Sequence, residues 1–365
     1  MKSILKKSDN QGDGNRYFSD KVVEWYLRNH RKLPWRESSD PYRIWLSEVI
    51  LQQTRVVQGL PYYHRFVEQY PSVRDLANAG EEAVLRLWQG LGYYTRARNL
   101  IRCAKTVVAE HGGVFPCSSR ELKLLPGIGD YTAAAIASIA FDEPVAVIDG
   151  NVLRVLARYF GMKHDITRLE ARRLFNHLAN NLIKGTRPSV YNQALMEFGA
   201  LCCVPKSPRC GECVLAETCF ARQRGKQAEL PVRQPRNAPR RRYFYYFVII
   251  QGNRIGMRKR SENDIWRNLY DFYLAESHRQ ESIRQVIGRD KVLRKLIGGE
   301  NKVEISPVFQ HTLTHQKILA RFVTLRHEKV SPAMMKDLQF FTKRGIEKLP
   351  KPVLITRFLA QGKIL

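Results

Sequence analysis

Apolar residues recur every three or four positions through most of the first 222 residues, which predicts an almost wholly helical region. Pro71, Pro116, Gly161 and Pro188 separate the periodic stretches. The first fifteen residues are polar and charged, and we predict that they are disordered. The predicted helices cover residues 21–29 (with Ser19 as the cap), 42–53, 81–89, 94–111, 118–125, 131–141, 151–160, 168–183 and 190–202.

The composition changes after residue 222. Residues 222–242 contain three prolines and seven arginines, which predicts an extended basic linker. Residues 243–250 are rich in strand-forming residues, and after a turn at 251–253 a second strand is predicted over 254–260. Further strands at 269–276 and 318–327, with helices at 282–287 and near 332–340, complete a smaller α+β domain. The predicted organisation is therefore 1–15 disordered, 16–222 helical, 223–242 linker and 243–365 α+β.

The charge balance points to a polyanionic partner. The chain has 61 Lys and Arg against 34 Asp and Glu, a formal net charge of +27. Such an excess binds nucleic acid through counterion release, and RNA fits this observation as well as DNA does. Neither a secretory signal nor a membrane-spanning run is recognisable, so we expect a cytoplasmic protein without membrane association.

A glycine turn between two predicted helices carries a candidate phosphate site. In Leu125-Pro126-Gly127-Ile128-Gly129, the two glycines allow backbone conformations in which successive amides point outward at the start of the next helix. Such amides favour an anion, here a DNA phosphate, although an ordinary connection has the same pattern. Asp149 stands before Gly150 at the next predicted helix, where it is either a plain N-cap or a functional carboxylate.

Four cysteines form a candidate metal centre. Cys203, Cys210, Cys213 and Cys219 lie within seventeen residues of each other, and a chain without an export signal is expected to use such a group for metal binding rather than disulfides. The spacing alone slightly favours zinc over an iron–sulfur cluster. Either centre would hold the intervening basic loop, with Lys206 and Arg209, toward a DNA backbone.

Glu48 is the charged member of an otherwise largely apolar helical stripe that includes Trp45, Val49 and Gln52. Its head group either reaches water or is desolvated, and in the second case it stays protonated and can donate a proton. Cleavage of an N-glycosidic bond to a purine requires one acid to protonate the base and one carboxylate to stabilise the sugar cation. Glu48 and Asp149 are the candidates for these roles, acting on a base extruded from the duplex.

These segments together resemble the MutY-type adenine DNA glycosylases of the helix-hairpin-helix (endonuclease III) superfamily, which remove adenine mispaired with 8-oxoguanine. The resemblance covers residues 30–222 and returns more weakly from 243. The matching motifs are Leu33-Pro34-Trp35-Arg36, residues 45–54, Gly90-Leu91-Gly92-Tyr93-Tyr94, residues 125–133, residues 148–152 and the four-cysteine pattern.

The resemblance implies a helix-hairpin-helix glycosylase fold with a [4Fe–4S] cluster on the four cysteines. It implies that Glu48 protonates adenine N7, that Asp149 stabilises an oxocarbenium-like sugar, and that Tyr131 and Asn151 position these groups. The residues that it places at the adenine pocket are Trp35, Arg36 and Leu51, and those that it places against DNA are Gln53, Thr54, Tyr93, Gly127 and Gly129. The implied partner is duplex DNA with an A:8-oxoguanine or A:G mispair, bound by a monomer.

The second domain resembles the Nudix-like C-terminal module of the same family, which recognises 8-oxoguanine. Leu313-Thr314-His315 stands where the family usually has Phe-Ser-His, so the hydroxyl is retained and the phenyl ring is not. The glutamate-rich run that binds magnesium in true Nudix hydrolases is not recognisable, so pyrophosphatase activity is not expected.

Two other functions stay open from the sequence. One is a pyrimidine-lesion glycosylase and lyase of the endonuclease III type. The Schiff-base lysine of those bifunctional enzymes is replaced here by Tyr131, whose phenol cannot form an imine. The other is a noncatalytic nucleic-acid-binding protein, which the charge and the glycine hairpin alone would permit.

Overall fold

The computed structural model describes residues 10–235, 238–261, 264–297, 303–326 and 337–361. The chain divides into two compact units. Unit 1 comprises Met1–Asn78 and Asn99–Pro235, and unit 2 comprises Ala79–Arg98 and Arg236–Leu365. Residues 79–98 thus belong with the C-terminal unit, although the sequence pattern assigns them to the helical domain.

The N-terminal region is helical, as the apolar periodicity predicts. Its elements are α1 (Asn10–Asn29), a 3-10 turn (Pro34–Arg36), α2 (Pro41–Leu51), α3 (Val56–Gln69), α4 (Val73–Ala77), α5 (Glu81–Leu87), α6 (Thr95–His111), α7 (Ser119–Leu122), α8 (Asp130–Phe141), α9 (Gly150–Phe160), α10 (Leu169–Leu182), α11 (Pro188–Leu201) and α12 (Phe220–Gln223).

Two details at the N-terminus differ from the prediction. Helix α1 begins at Asn10, so residues 10–15 of the predicted disordered segment are helical, and residues 1–9 lie outside the described residues. Ser19 lies inside α1 rather than at its cap. Its buried hydroxyl donates to the carbonyl of Leu182 at 2.8 Å and so joins α1 to the end of α10.

The sequence pattern missed α3 and α4. Gly59 and Pro61, two residue types that disfavour a helix interior, lie inside α3. The glycine suits the close packing here: a Cβ at Gly59 would lie 2.7 Å from Cδ2 of Leu51 at the end of α2, so the leucine side chain would have to shift. Close contact between α2 and α3 therefore explains a residue that local propensity disfavours in a helix.

Unit 1 has a large buried cluster where α1 meets α9, α10 and α11. Phe18, Val22, Val155, Phe175 and Phe198 are buried in this cluster. The predicted linker contributes to it as well, because Leu230 is buried there and its carbonyl accepts from Nε of Arg158 at 3.0 Å. The first part of the 223–242 segment is thus packed on unit 1, and its last residues begin the first strand of unit 2.

Unit 2 is a mixed sheet with helices against it, which confirms the predicted α+β class. Its strands are β1 (Arg240–Gln251), β2 (Arg254–Lys259), β3 (Tyr270–Asp271), β4 (Tyr273–Ser277), β5 (Val303–Ile305), β6 (Phe309–Thr312), β7 (Gln316–Arg326) and β8 (Gln339–Thr342), and its C-terminal helices are α13 (Ile283–Arg289), α14 (Lys291–Ile297), α15 (Lys343–Lys348) and α16 (Val353–Leu359).

The long strand β1 lies at the centre of the described part of this sheet. The strand order is β3-β2-β1-β7-β5, and β4, β6 and β8 pair with β1, β7 and β2. Strands β1 and β7 run parallel in a register that pairs Arg240 with Gln316. The helix predicted near 332–340 differs from the structure: residues 332–336 lie outside the described residues, and Gln339–Thr342 is a strand.

No helix among the described residues combines the length and the apolar character needed to cross a membrane.

Candidate active site

Glu48 lies on the inner face of α2 and is 9% exposed. The surrounding turns of α2 bury Trp45 and Val49, and the carboxyl group is removed from water, which is the second of the two alternatives that the sequence left open. This burial raises the pKa of Glu48 to about 7. A hydrogen bond from the Tyr131 hydroxyl opposes the rise, while the nearby carboxylate of Asp149 adds to it. The protonated acid is therefore populated at neutral pH.

Asp149 is the N-cap of α9. Its Oδ1 accepts from the backbone nitrogen of Val152 at 2.7 Å, and its Oδ2 accepts from Nδ2 of Asn151 at 2.7 Å. Burial raises the pKa of Asp149, but these two hydrogen bonds and the charge of Arg154 work in the opposite direction. A helix N-terminus also favours the ionised form. Asp149 can therefore cap α9 and act as a functional carboxylate at the same time.

Tyr131 connects the two acids from the first turn of α8. Its hydroxyl donates to Oε2 of Glu48 at 2.7 Å. Burial, together with the nearby carboxyl groups of Glu48 and Asp149, raises the pKa of Tyr131 well above its usual value, so the phenol remains a donor at neutral pH. Tyr131, Glu48 and Asp149 come from three separate helices of unit 1.

All three residues line one cavity of about 520 Å³ within unit 1. Trp35, Arg36 and Leu51, which the family resemblance assigns to an adenine pocket, line it as well. So do Thr54 and Asn151. Its rim carries the 87% exposed side chain of Val57. A concave space with a few converging polar groups is the usual form of a small-molecule or nucleobase site.

Arg31 and Glu197 also line the cavity, and the sequence analysis missed both. Glu197 is 1% exposed on α11 and accepts from the guanidinium groups of Arg31 and Arg36 at 2.5 to 2.9 Å. Burial opposes its ionisation, but the hydrogen bonds from the two arginines outweigh burial and lower the pKa of Glu197 to about 2. The available signal was a lone carboxylate in the apolar segment 194–201, the same signal that drew attention to Glu48.

Arg154 joins the acid site to the cysteine loop. Its Nη2 donates to Oδ1 of Asn151 at 2.8 Å and to the carbonyl of Gly199 at 2.7 Å, and its Nε donates to the carbonyl of Cys203 at 2.8 Å. Asn151 in turn holds Asp149. The buried guanidinium of Arg154 therefore orients Asn151, and Asn151 orients the carboxylate of Asp149.

In the glycine hairpin, Gly127 alone takes the special backbone conformation expected of both glycines, because Gly129 is extended at φ −95°. Gly127 has φ +79°, a backbone conformation that favours glycine. A Cβ there would also lie 2.6 Å from Cβ of Asn99, so both the backbone and the packing require glycine. Gly129 is the N-cap of α8, where the first backbone amides of the helix have no helical acceptor. At the following position, the exposed carboxylate of Asp130 pairs with Nζ of Lys123 at 2.5 Å.

Two residues predicted to contact DNA adopt a left-handed backbone conformation. Gln53 after α2 has φ +56°, and Tyr93 before α6 has φ +48°. Non-glycine residues in this conformation are strained, and they are concentrated at functional sites. Lys206 and Arg209 are exposed on the loop between the first two cysteines.

Cys203, Cys210, Cys213 and Cys219 line a single cavity, and all four are free thiols. Nη1 of Arg158 lies 3.4 Å from Sγ of Cys203 and donates to the carbonyl of Val204 at 2.7 Å. In the described ranges, no three His, Cys, Asp or Glu side chains are grouped so as to hold a single metal ion. Cys202 lines this cavity as well, so five thiols surround it, and the four of the predicted pattern, with an arginine beside them, fit the donor set of an iron–sulfur cluster.

Unit 2 contains a separate pocket of about 190 Å³ next to the predicted recognition loop. Leu313, Thr314 and His315 form the turn between β6 and β7, which is closed by a hydrogen bond from the Leu313 nitrogen to the Gln316 carbonyl at 2.7 Å. The Tyr93 hydroxyl contacts the Thr314 hydroxyl across this pocket. Tyr93, which the family resemblance places against DNA, and Thr314, which it places at 8-oxoguanine, are thus in contact inside unit 2.

The helical fold, its glycine hairpin and the acid pair define a DNA glycosylase of the base excision type. Residues 46–181 match the HhH-GPD superfamily of base excision DNA repair proteins. Residues 203–219 match the iron–sulfur binding domain of endonuclease III, which decides the cysteine assignment for a cluster and against zinc. Residues 245–361 match the NUDIX domain.

Similar proteins of known name indicate which type of DNA glycosylase this is. The adenine DNA glycosylase of Buchnera aphidicola subsp. Baizongia pistaciae is 33% identical over 316 residues, covering 86% of this chain and 87% of that protein. The adenine DNA glycosylase of Mus musculus is 45% identical over 223 residues, covering 58% of this chain and 43% of that protein. The chain belongs to the adenine DNA glycosylase family, as its motifs predicted.

Solved structures agree with this fold. A thermostable thymine-DNA glycosylase matches with a TM-score of 0.55 and 27% identity, over 59% of this chain and all of that chain. Endonuclease III in a non-covalent DNA complex matches with a TM-score of 0.51 at 22% identity, over 59% of this chain and 98% of that chain, a likeness of fold alone.

Proposed function

We propose that this enzyme is a monofunctional glycosylase that removes adenine paired with 8-oxoguanine or guanine in duplex DNA. The observation that carries the proposal is the presence of a neutral acid, Glu48, and a hydrogen-bonded carboxylate, Asp149, on one cavity of about 520 Å³. The fold relatives act on DNA bases, and the net charge of +27 favours a DNA duplex as the partner.

In this proposal, Glu48 donates its proton to N7 of an extruded adenine while the bond from N9 to C1′ breaks. The electron pair of that bond leaves with the base, and the added proton makes the purine a neutral leaving group. Asp149 stabilises the positive charge that develops on the deoxyribose. Water then adds to C1′ and loses a proton to the carboxyl pair, so the products are free adenine and an abasic site.

The remaining side chains of the cavity have positioning roles in the proposal. Tyr131 holds the Glu48 carboxyl through its hydroxyl, and Asn151 holds the Asp149 carboxylate. Glu197 accepts from Arg31 and Arg36 through both oxygens and so fixes these two guanidinium groups in the cavity wall. Trp35 and Leu51 supply apolar surface for the ring. An iron–sulfur cluster on the four cysteines would hold the loop with Lys206 and Arg209 toward the phosphate backbone.

Monofunctional chemistry is favoured over a lyase by the composition of the cavity wall. The described residues that line it include tyrosine and arginine and no lysine. A β-elimination through a Schiff base needs an uncharged amine at the sugar, and Tyr131 supplies only a phenol.

The direct test uses an end-labelled duplex with adenine opposite 8-oxoguanine, incubated with enzyme and then treated with alkali. The proposal expects strand cleavage only after alkali and no adduct with borohydride. Glu48→Gln should bind the duplex and leave it intact. Uncleaved strands with the wild-type enzyme after alkali would refute the proposal, and borohydride trapping would favour the lyase.

We also propose that the enzyme acts as a monomer in the cytoplasm or at the nucleoid. All the residues invoked at the acid site belong to one compact unit of one chain, so no second copy is required. Light scattering after gel filtration, with and without duplex DNA, tests this; a mass corresponding to two chains on one duplex would contradict it.

A further inference from the structure

Gln316 begins strand β7 and lines the 190 Å³ pocket of unit 2 beside Thr314 and Tyr93. Behind it lies the buried guanidinium of Arg242, on the adjacent parallel strand β1. Since Arg240 pairs with Gln316 in the register of these strands, Arg242 lies two residues further along the same face. Gln316 thus lines the pocket on one side and contacts the buried Arg242 on the other.

Arg242 is held by an extensive set of acceptors. It is bound by Asp264 at 3.0 and 2.5 Å and by Glu276 at 2.6 Å through both oxygens. Its Nη1 also donates to Oε1 of Gln316 at 3.0 Å. The Arg242 side chain is only 9% exposed, so its guanidinium depends on these protein acceptors rather than on bulk water.

This contact determines which way the Gln316 amide faces. A guanidinium has donors and no acceptor, so the amide must turn its oxygen toward Arg242. The amide nitrogen of Gln316 is then the atom that can form a hydrogen bond with a molecule in the pocket, and it can act only as a donor. Asp264, the acidic residue of the pocket wall, is paired with Arg242 and also lies 3.6 Å from the guanidinium of Arg260, so two cations offset its charge.

8-Oxoguanine and guanine differ at the position that such a donor would detect. The lesion has a carbonyl oxygen at C8 where guanine has a C–H group. We propose that Gln316, oriented by Arg242, is a specificity-determining residue that donates a hydrogen bond to the C8 oxygen of 8-oxoguanine. The inference rests on the proposed function, because it presumes that this pocket receives the base opposite adenine.

The test compares wild type with Gln316→Glu and Gln316→Leu on duplexes with adenine opposite 8-oxoguanine, guanine or 8-methylguanine. The glutamate keeps the shape and the contact to Arg242 but replaces the donor with an acceptor. We expect kcat/KM opposite 8-oxoguanine to fall about 10-fold in both variants, the scale of one hydrogen bond. Opposite guanine or 8-methylguanine, which lack the acceptor, the variants should equal wild type.

Gln285→Glu is the matched control. Gln285 is exposed on α13, where its side chain accepts from the Ser282 backbone, a role that a carboxylate also performs. This variant should retain wild-type rates on all three duplexes. Equal losses on all three duplexes in the Gln316 variants would assign Gln316 a structural role and overturn the inference, as would full retention of the 8-oxoguanine preference. A wild-type enzyme that did not prefer 8-oxoguanine over guanine would overturn the inference but not the proposed function, which includes both pairs.

Discussion

Tyr131 donates a hydrogen bond of 2.7 Å to Oε2 of Glu48, across 83 positions of the sequence. This contact stabilises the ionised carboxylate and so lowers the pKa of Glu48, while burial raises it. The pKa of about 7 is the balance between burial and the nearby Asp149, which raise it, and this hydrogen bond, which lowers it. A group that must be protonated to act is thereby kept close to half-protonated at physiological pH, and it can be returned to its acid form after each turnover.

The first prediction concerns Tyr131→Phe. Removing the donor removes the effect that lowers the pKa of Glu48, so this pKa should rise above 7. The alkaline limb of the single-turnover rate against pH, centred near pH 7 in wild type, should therefore move to higher pH. The maximal rate should fall about 10-fold because the acid loses a positioning contact.

Single-turnover rates of adenine release from pH 5 to pH 9 measure both effects. Tyr62→Phe, which removes a hydroxyl outside the acid cavity, is the matched control and should leave the profile unchanged. An alkaline limb that stays in place in Tyr131→Phe would mean that Glu48 is not the titrating acid.

The second prediction concerns stability. The pKa of Glu48 is about 7 in the folded chain against an ordinary value of 4.5, so the protonated acid contributes stability that is complete below pH 4.5 and lost as the pH rises through 7. Glu48→Gln carries no such dependence. Its free energy of unfolding relative to wild type should therefore increase by up to about 3 kcal/mol from pH 4.5 to above pH 7.

Urea unfolding midpoints at pH 5 and pH 8 check this prediction. Glu37→Gln, at an exposed glutamate, should show the same difference from wild type at both values. If the Glu48→Gln difference did not grow with pH, the carboxyl group would not be desolvated.

Local sequence patterns were sufficient for most helices because each one needs only its own apolar stripe. They failed at α3, where Gly59 is explained by its contact with Leu51 in another helix. They also failed at Glu197, since its partner Arg31 lies 166 positions away and periodicity carries no information about such pairs. Glu48 and Asp149 were proposed as a pair from chemistry and family resemblance, and it took the fold to bring them to one cavity.

The same distinction applies in unit 2. The strands β1 and β2 are evident from their composition, whereas the contact between Tyr93 and Thr314 joins positions 221 residues apart. The assignment of residues 79–98 to the C-terminal unit had no local signal either. Long-range pairing decides where functional side chains meet, and it is the part of the structure that a single sequence encodes least directly.

The third prediction concerns Arg154. Its guanidinium is 8% exposed and satisfies Asn151, Gly199 and Cys203 at once. Arg154→Leu would leave these acceptors unpaired, which costs about 1 to 3 kcal/mol for each buried group. We expect a lower melting temperature and at least a roughly 10-fold loss of single-turnover rate, because Asn151 no longer fixes Asp149.

Arg154→Lys separates the effect on stability from the effect on rate. Lysine keeps the positive charge, but its single ammonium group cannot donate to three separate acceptors. It should recover much of the melting temperature and little of the rate. Arg187→Leu, at a 73% exposed arginine, is the control and should change neither. A rate that recovered in step with the melting temperature would indicate that Arg154 only supports the fold.

The last prediction concerns the charge at the glycine hairpin. Asp130 is 87% exposed on the first turn of α8, beside the amides that are proposed to hold a DNA phosphate, and Lys123 compensates its charge. A carboxylate at this point repels a phosphate, and the ion pair reduces this repulsion only in part because both groups are in water. Asp130→Asn should therefore tighten binding to undamaged duplex by about 2- to 5-fold at low salt, whereas Lys123→Ala should weaken it and reduce the slope of log Kd against log salt by about one unit. Fluorescence anisotropy at salt concentrations from about 50 to about 300 mM, which bracket physiological ionic strength, distinguishes these outcomes.

The double variant should bind like wild type, since one charge of each sign is removed. Identical affinities in all four proteins would place the phosphate contact away from this hairpin.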